Sequence, residues 1–248
     1  VRRFRRENPG AIVVLTGCYP QAFPREAAAV QEADIITGAR NRAALPQLVR
    51  AFSLDRQRIV SIPQHEKGED FESCSAADFG VRTRAFLKIQ DGCDNWCSYC
   101  IIPAARGPVR SKPMPELQSE LLTLARNGYR EIVLTGINLS NYGREWGLHL
   151  SDAVLAAAAT PGVERVRLGS IEPDLLTPQE IYCLAEGGGG KLCPQFHLSL
   201  QSGCDATLRR MNRHYDTTQY RAVAEAVRKA FPGAALTTDM MVGFAGET

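Results

Sequence analysis

Cys93, Cys97 and Cys100 stand in the segment Gln90-Asp91-Gly92-Cys93-Asp94-Asn95-Trp96-Cys97-Ser98-Tyr99-Cys100, a CxxxCxxC spacing that puts three soft thiolate donors on one short loop. A [4Fe-4S] cluster held entirely by protein takes four cysteines. Three would leave one iron open to an outside ligand, the open position that separates catalytic from structural metal sites. Cys97 and Cys100 also spell a Cys-x-x-Cys redox pair, but the third cysteine and the lack of a helix beginning at the first argue against that use. A zinc site needs a fourth Cys or His nearby or in a matching second pair. Cys74 and His65 are the nearest candidates, and neither has the spacing.

A reactive loop needs a scaffold, and the residues before it supply the first sign of one. The chain has 248 residues, 44% hydrophobic and 23% charged, the composition of an ordinary globular protein. Ala11-Ile12-Val13-Val14-Leu15-Thr16 is a short β-branched run ending at Gly17, so Cys18 sits at the tip of a buried parallel strand. Pro24 to Ala33 reads as a helix, Asp34 to Thr37 as a second strand, and Asn41 to Phe52 as a second helix. This is βαβα, hence a small parallel sheet. Residues 63–84 are polar and turn-forming, with Pro63, His65, Gly68, Ser73 and Ser75, and read as a linker. The expected organisation is 1–62 as part of a small α/β domain, 63–84 as linker and 85–248 as a second domain.

From residue 85 onward a strand-helix rhythm repeats. Candidate strands lie at Ala85–Ile89, Glu131–Thr135, Val163–Leu168, Phe196–Leu200 and Ala235–Val242. Repeated βα units imply a parallel barrel or open sheet, and five fall short of a full eight-stranded barrel. The cysteine loop follows directly on the first of these strands, where parallel α/β folds place their active sites.

Eight cysteines, no window near the ~20 apolar residues needed to span a bilayer, and no apolar signal run after Val1 lead to the expectation of a cytoplasmic protein with metal or catalytic cysteines and no membrane partner. Cys74, Cys183, Cys193 and Cys204 are expected to be structural, as small buried hydrophobes. A net charge of +2 does not announce a nucleic-acid partner. Two local basic clusters do stand out: Arg2, Arg3, Arg5 and Arg6, and Arg106, Arg110 and Lys112 just after the cysteines. Each is equally readable as a solvated face or as an RNA contact. Gly187 to Gly190 lacks the Lys-Ser/Thr that completes a phosphate loop and reads as a turn.

With these residues in view, the sequence resembles the radical S-adenosylmethionine (SAM) methylthiotransferases, and among them the branch acting on N6-threonylcarbamoyladenosine in tRNA. The resemblance runs through Cys100-Ile101-Ile102-Pro103, Arg106-Gly107-Pro108-Val109-Arg110-Ser111, Leu134-Thr135-Gly136-Ile137-Asn138-Leu139, Leu168-Gly169-Ser170-Ile171-Glu172-Pro173, Leu200-Gln201-Ser202-Gly203-Cys204-Asp205 and Met211-Asn212-Arg213. Leu15-Thr16-Gly17-Cys18-Tyr19-Pro20-Gln21 points to the threonylcarbamoyladenosine branch. Ala104 departs from the family's usual aromatic.

The resemblance implies an α/β chain: a partial (βα)6-type radical SAM barrel, preceded by part of a small parallel α/β domain and truncated after its fifth strand. It implies a cluster on Cys93, Cys97 and Cys100, with SAM bound at the open iron and cleaved by one electron to a 5'-deoxyadenosyl radical. Cys18 would be the last of three ligands of a second [4Fe-4S] cluster, the other two lying upstream, and would face the radical site. SAM contacts are carried to Tyr99, Gly136, Asn138, Glu172, Gln201, Ser202 and Gly243. For Gly136 and Gly243 the physical reason is close backbone approach to a ligand; for Glu172, Gln201 and Ser202 it is polar groups suited to SAM's ribose and ammonium. The implied reaction replaces hydrogen at C2 of the adenine next to the anticodon with a methylthio group. tRNA, with Arg106, Arg110 and Lys112 near the site mouth, and an electron donor such as a flavodoxin-like reductase are the implied partners. A methylthiotransferase acting on isopentenyladenosine or on a ribosomal protein, and a non-enzymatic iron-sulfur module, are the alternatives.

Overall fold

The structure is a computed structural model and describes residues 1–73, 79–80 and 82–247. Cys74 and Ser75 lie outside the described residues. The chain divides into two compact units. One comprises Val1–Cys74 with Gly92–Asp94 and Cys100–Pro108; the other comprises Ser75–Asp91, Asn95–Tyr99 and Val109–Thr248.

In the first unit, α1 (Arg2–Glu7) precedes β1 (Val14–Leu15), α2 (Cys18–Ala22), α3 (Pro24–Ala28), β2 (Ile35–Thr37), α4 (Leu45–Asp55) and β3 (Ile59–Ser61). The strands form a parallel sheet in the order β1-β2-β3. Its core is small: Val13, Ala27, Ala33 and Ile36, with Leu15, Val30 and Ile62 packed on them. The third strand, β3, escaped the sequence reading because Ile59-Val60-Ser61 is too short to show a period. Three of the four arginines of the basic cluster in α1 are ion-paired: Arg2 with Glu32 at 3.0 Å, Arg3 with Glu7 at 2.8 Å, and Arg5 with Asp34. A further helix, α5 (Ile102–Arg106), follows Cys100 and packs against α2, the helix that begins at Cys18.

The second unit is a run of βα units. Its elements are β4 (Arg84–Lys88), β5 (Gln90–Asp91), β6 (Arg110–Ser111), α6 (Met114–Arg126), β7 (Glu131–Thr135), α7 (Leu150–Ala159), β8 (Arg165–Leu168), β9 (Ser170–Ile171), α8 (Pro178–Gly187), β10 (Gln195–Leu198), α9 (Asp205–Arg210), α10 (Thr217–Ala230) and β11 (Ala235–Thr237). Two parallel sheets, β4-β7-β8 and β9-β10-β11, are joined where one strand breaks at Gly169: β8 pairs with β7, and its continuation β9 pairs with β10. The result is an arc of parallel strands, a partial barrel. Leu87, Ile89, Ile132, Leu134, Val166, Phe196 and Leu198 are buried in its core, where Leu117, Leu121 and Leu124 of α6 join them at helical spacing. The candidate strand at Ala235–Val242 is observed only as β11, followed by a single bridge between Gln201 and Met240. Met240 and Val242 near its end are exposed, Val242 at 85%.

Polar side chains cap α8 and α10. Asp216 Oδ1 accepts from the Gln219 backbone N–H at 2.8 Å, and Thr177 accepts from that of Glu180 at 3.2 Å, each within a reciprocal capping box. Asp216→Ala removes the cap of α10 and is expected to lower the unfolding free energy by about 1 kcal/mol, while Asp216→Asn retains most of it. Urea unfolding of the two variants checks this.

Candidate functional site

Parallel strands deliver their carboxyl ends to one side of a sheet, and in the second unit those ends are tied together by side chains. Gln90 Oε1, just beyond β4, accepts from the Asn138 backbone N–H beyond β7 at 2.8 Å. Ser140 Oγ donates to the Glu172 carbonyl at 2.9 Å and accepts from the Glu172 N–H at 3.0 Å. Gln201, with φ at +64°, donates its N–H to Asp239 O at 3.0 Å and accepts from Met241 N at 2.8 Å. Tyr215 Oη donates to the carbonyls of Ser199 and Leu200 beyond β10, at 2.6 and 2.8 Å.

The half of the cysteine loop that belongs to this unit, Asn95–Tyr99, is held from one segment, residues 210–213. Ser98 N–H donates to Met211 O at 3.0 Å and Ser98 Oγ to Arg210 O at 2.9 Å. Asn212 Nδ2 donates to the carbonyls of Asn95 and Trp96 at 3.2 and 3.0 Å. Trp96 is thereby kept in the left-handed region, φ +49°, with its ring exposed. Arg213 reaches further. Its Nη1 lies 3.3 Å from Cys97 Sγ and 3.5 Å from Tyr99 Oη, and its Nη2 pairs with Glu172.

Burial shapes the charges here. It pushes the Glu172 carboxyl up to about 7, against the pull of Arg213. The Tyr99 hydroxyl is raised in the same way, chiefly by burial. Burial also raises Asp174, whose Oδ1 is buried without a hydrogen-bond partner among the described residues. For Arg213, burial opposes the charge, but Glu172 leads the groups that outweigh it, and the guanidinium is held more firmly cationic than usual.

The cysteines of the first unit sit in a tight backbone. The Cys93 N–H donates to Gly107 O at 3.1 Å. Gly92 has φ +74°, and a Cβ there would fall 1.8 Å from the Pro108 carbonyl oxygen. Cys93 and Cys100 are half-buried, Cys97 is buried and Cys18 is exposed. Among the described residues, no group of three or more His, Cys, Asp or Glu side chains is arranged to hold a metal ion. What suits an iron-sulfur cluster is the donor set: three soft thiols at this spacing, one of them within hydrogen-bond distance of a guanidinium.

Other sequence expectations fare variously. Tyr99 is half-exposed and meets Phe244 edge to face, with centroids 6.1 Å apart. Asn138 and Ser202 are buried. A Cβ at Gly136 would lie 2.9 Å from Gln90 Oε1, so the close approach there is to the tie between strands. Nothing lies within 4 Å of a Cβ built at Gly243; its φ of +77° is what requires glycine, and its N–H donates to Glu247 at 2.6 Å. Arg110 and Lys112 do not form an open basic cluster: both are buried, Arg110 3.6 Å from Asp91 and Lys112 paired with Glu120. Of the cysteines expected to be buried structural residues, Cys193 is buried, whereas Cys183 and Cys204 are exposed. The Cys204 thiol is lowered mainly by the Thr207 backbone N–H at the start of α9. In the sequence Arg213 is marked only as the last residue of the motif Met211-Asn212-Arg213. The signal that could have found it is its position in a strand-end motif, one cation within reach of both a carboxylate and a cysteine loop.

Residues 87–248 match the model of the radical SAM superfamily. The chain belongs to the radical SAM superfamily. Along its whole length it is 37% identical to the threonylcarbamoyladenosine tRNA methylthiotransferase MtaB of Bacillus subtilis and 35% identical to that of Thermotoga maritima, covering 55% and 56% of them. It is also 36% identical, over 97% of its length, to a tRNA-2-methylthio-N(6)-dimethylallyladenosine synthase of Symbiobacterium thermophilum, of which it covers 53%. The chain thus spans about half the length of these relatives. Among solved structures it resembles the cobalamin-dependent S-adenosylmethionine radical enzyme OxsB, with a TM-score of 0.62 at 11% identity, covering 97% of this chain and 38% of that one. The radical SAM methyltransferase TsrM of Kitasatospora setae gives 0.54 at 17% identity, over 66% of this chain and 32% of that one. These likenesses show the fold, an α/β radical SAM barrel in part, as the sequence implied. No helix among the described residues is long and apolar enough to cross a membrane.

Gly92→Ala combines a positive φ with a backbone clash, and is expected to lower stability by more than about 1 kcal/mol. An unshifted urea midpoint would mean that the Pro108 carbonyl does not close over this position.

Proposed function

We propose that this chain is part of a radical SAM enzyme that adds a methylthio group to C2 of N6-threonylcarbamoyladenosine next to the anticodon in tRNA. The observation that carries the reading is the CxxxCxxC loop directly after β4, in a chain that aligns from end to end with threonylcarbamoyladenosine tRNA methylthiotransferases. Cys93, Cys97 and Cys100 would hold the [4Fe-4S] cluster, and Cys18 would contribute to a second one. The packing of α2 on α5, the helices that begin at Cys18 and follow Cys100, supports a role for Cys18 in this chemistry. Domain limits of 1–62 and 85–248 with a linker between them belong to the same proposal, as does a reductase that supplies the electron.

When bound, the cluster and SAM together supply reductive cleavage of the sulfonium. The chain's own residues do the rest. The strand ends around Gly136, Asn138, Gln201, Ser202 and Gly243 offer backbone and side-chain polar groups for SAM, and Tyr99 offers a half-exposed ring for its adenine. Glu172, largely buried and facing a cation already, is the acidic group suited to an ammonium. The hydrogen-bonded frame around these groups holds them in place without substrate, which lowers the ordering cost of binding.

A dimethylallyladenosine substrate is the second reading, favoured by the 36% identity to the Symbiobacterium thermophilum synthase. Nucleoside analysis separates the two. Cells lacking the gene should lose 2-methylthio-N6-threonylcarbamoyladenosine from tRNA while any 2-methylthio-isopentenyladenosine persists; the reverse pattern would reassign the substrate. Cys97→Ala, reconstituted anaerobically, is expected to lose 5'-deoxyadenosine formation from SAM, and turnover at the parent rate would overturn the ligand assignment.

A further inference from the structure

Arg213 is built into its place to an unusual degree. Its side chain is only 5% exposed. Its N–H donates to Leu208 O at 2.9 Å, and the preceding Asn212 holds φ at +55° while its amide clamps the carbonyls of Asn95 and Trp96. The guanidinium carbon lies 5.0 Å from the centre of the Tyr215 ring, and Tyr215 is itself anchored to the carbonyls beyond β10. Glu172 takes one arm of the fork. The other arm points at Cys97 Sγ, 3.3 Å away, with Tyr99 Oη 3.5 Å from the same nitrogen. A guanidinium has five donors in one rigid plane, so fixing one arm on a carboxylate fixes the direction of the other.

We infer that Arg213 is a positioning residue for the Cys97 sulfur, donating an N–H to it and so making the cluster held by that sulfur easier to reduce. Hydrogen bonds to cluster sulfurs stabilise the reduced form, which carries one more negative charge, and are among the protein's levers on the potential. Glu172 and Tyr215 act through Arg213 by keeping its second arm aimed at the loop. The inference rests on the assignment of Cys97 as a ligand, and the bland alternative is that Arg213 serves only as the counter-ion of Glu172.

Removing Arg213 alone would leave a buried carboxylate unpaired, which is itself destabilising. The comparison is therefore between Glu172→Gln and the double variant Glu172→Gln/Arg213→Met, both reconstituted anaerobically and poised without SAM at one fixed potential. Electron paramagnetic resonance reads the reduced cluster, and circular dichroism and iron content confirm equal folding and loading. The double variant is expected to show a ratio of reduced to oxidised cluster on the order of threefold to tenfold lower. Equal ratios would overturn the inference and leave the ligand assignment standing. A second readout needs no substitution: with 15N-labelled arginine, the reduced parent cluster should show a 15N hyperfine coupling. Its absence overturns the inference even if the double variant fails to load. A parent chain that assembles no cluster at all would overturn the ligand assignment, and the inference with it.

Discussion

The common direction of the strands in the second unit is the constraint on which its chemistry depends. Because β4, β7, β8, β9, β10 and β11 pair in parallel, every strand end that follows them opens on the same side. Parallel pairing also leaves the backbone groups beyond each strand without ladder partners, and buried groups of that kind must be satisfied. Gln90, Ser140 and Tyr215 meet that need from neighbouring elements. The same side chains that solve a backbone problem therefore lock the polar site residues into a frame.

Arg213 shows how that frame reaches the cysteine loop. It lies past α9, far in sequence from Cys97, and its position is set by Tyr215 below and Asn212 beside it. Through it a carboxylate beyond β9, a tyrosine hydroxyl and a thiol share one cation. Low local dielectric strengthens such interactions and makes an unpaired member costly, so the group is expected to behave as a unit.

Much of this was legible in the sequence, and for identifiable reasons. Glu131–Thr135 is a buried β-branched run bounded by turn residues, and the observed strand coincides with the expected one. The cysteine spacing is local information and needs no fold to be read. What escaped was non-local or too short for a period: β3, the antiparallel pairing of β5 with β6 on either side of the cysteine loop, and Arg213. Arg110 and Lys112 were misread as an open basic cluster because charge alone does not reveal burial; their partners, Asp91 and Glu120, sit on different elements. Cys183 and Cys204 were misread as buried because cysteine's average preference says nothing about one helix face or one cap.

The central claim is that the loop after β4 binds a cluster through three cysteines and leaves one iron for SAM. Mössbauer spectroscopy of the chain reconstituted anaerobically with 57Fe, before and after addition of SAM, tests it most directly. The account predicts a [4Fe-4S] spectrum in which SAM shifts the signal of a single iron and leaves the others in place. A spectrum that SAM does not alter, in a chain that carries the full cluster, would contradict it.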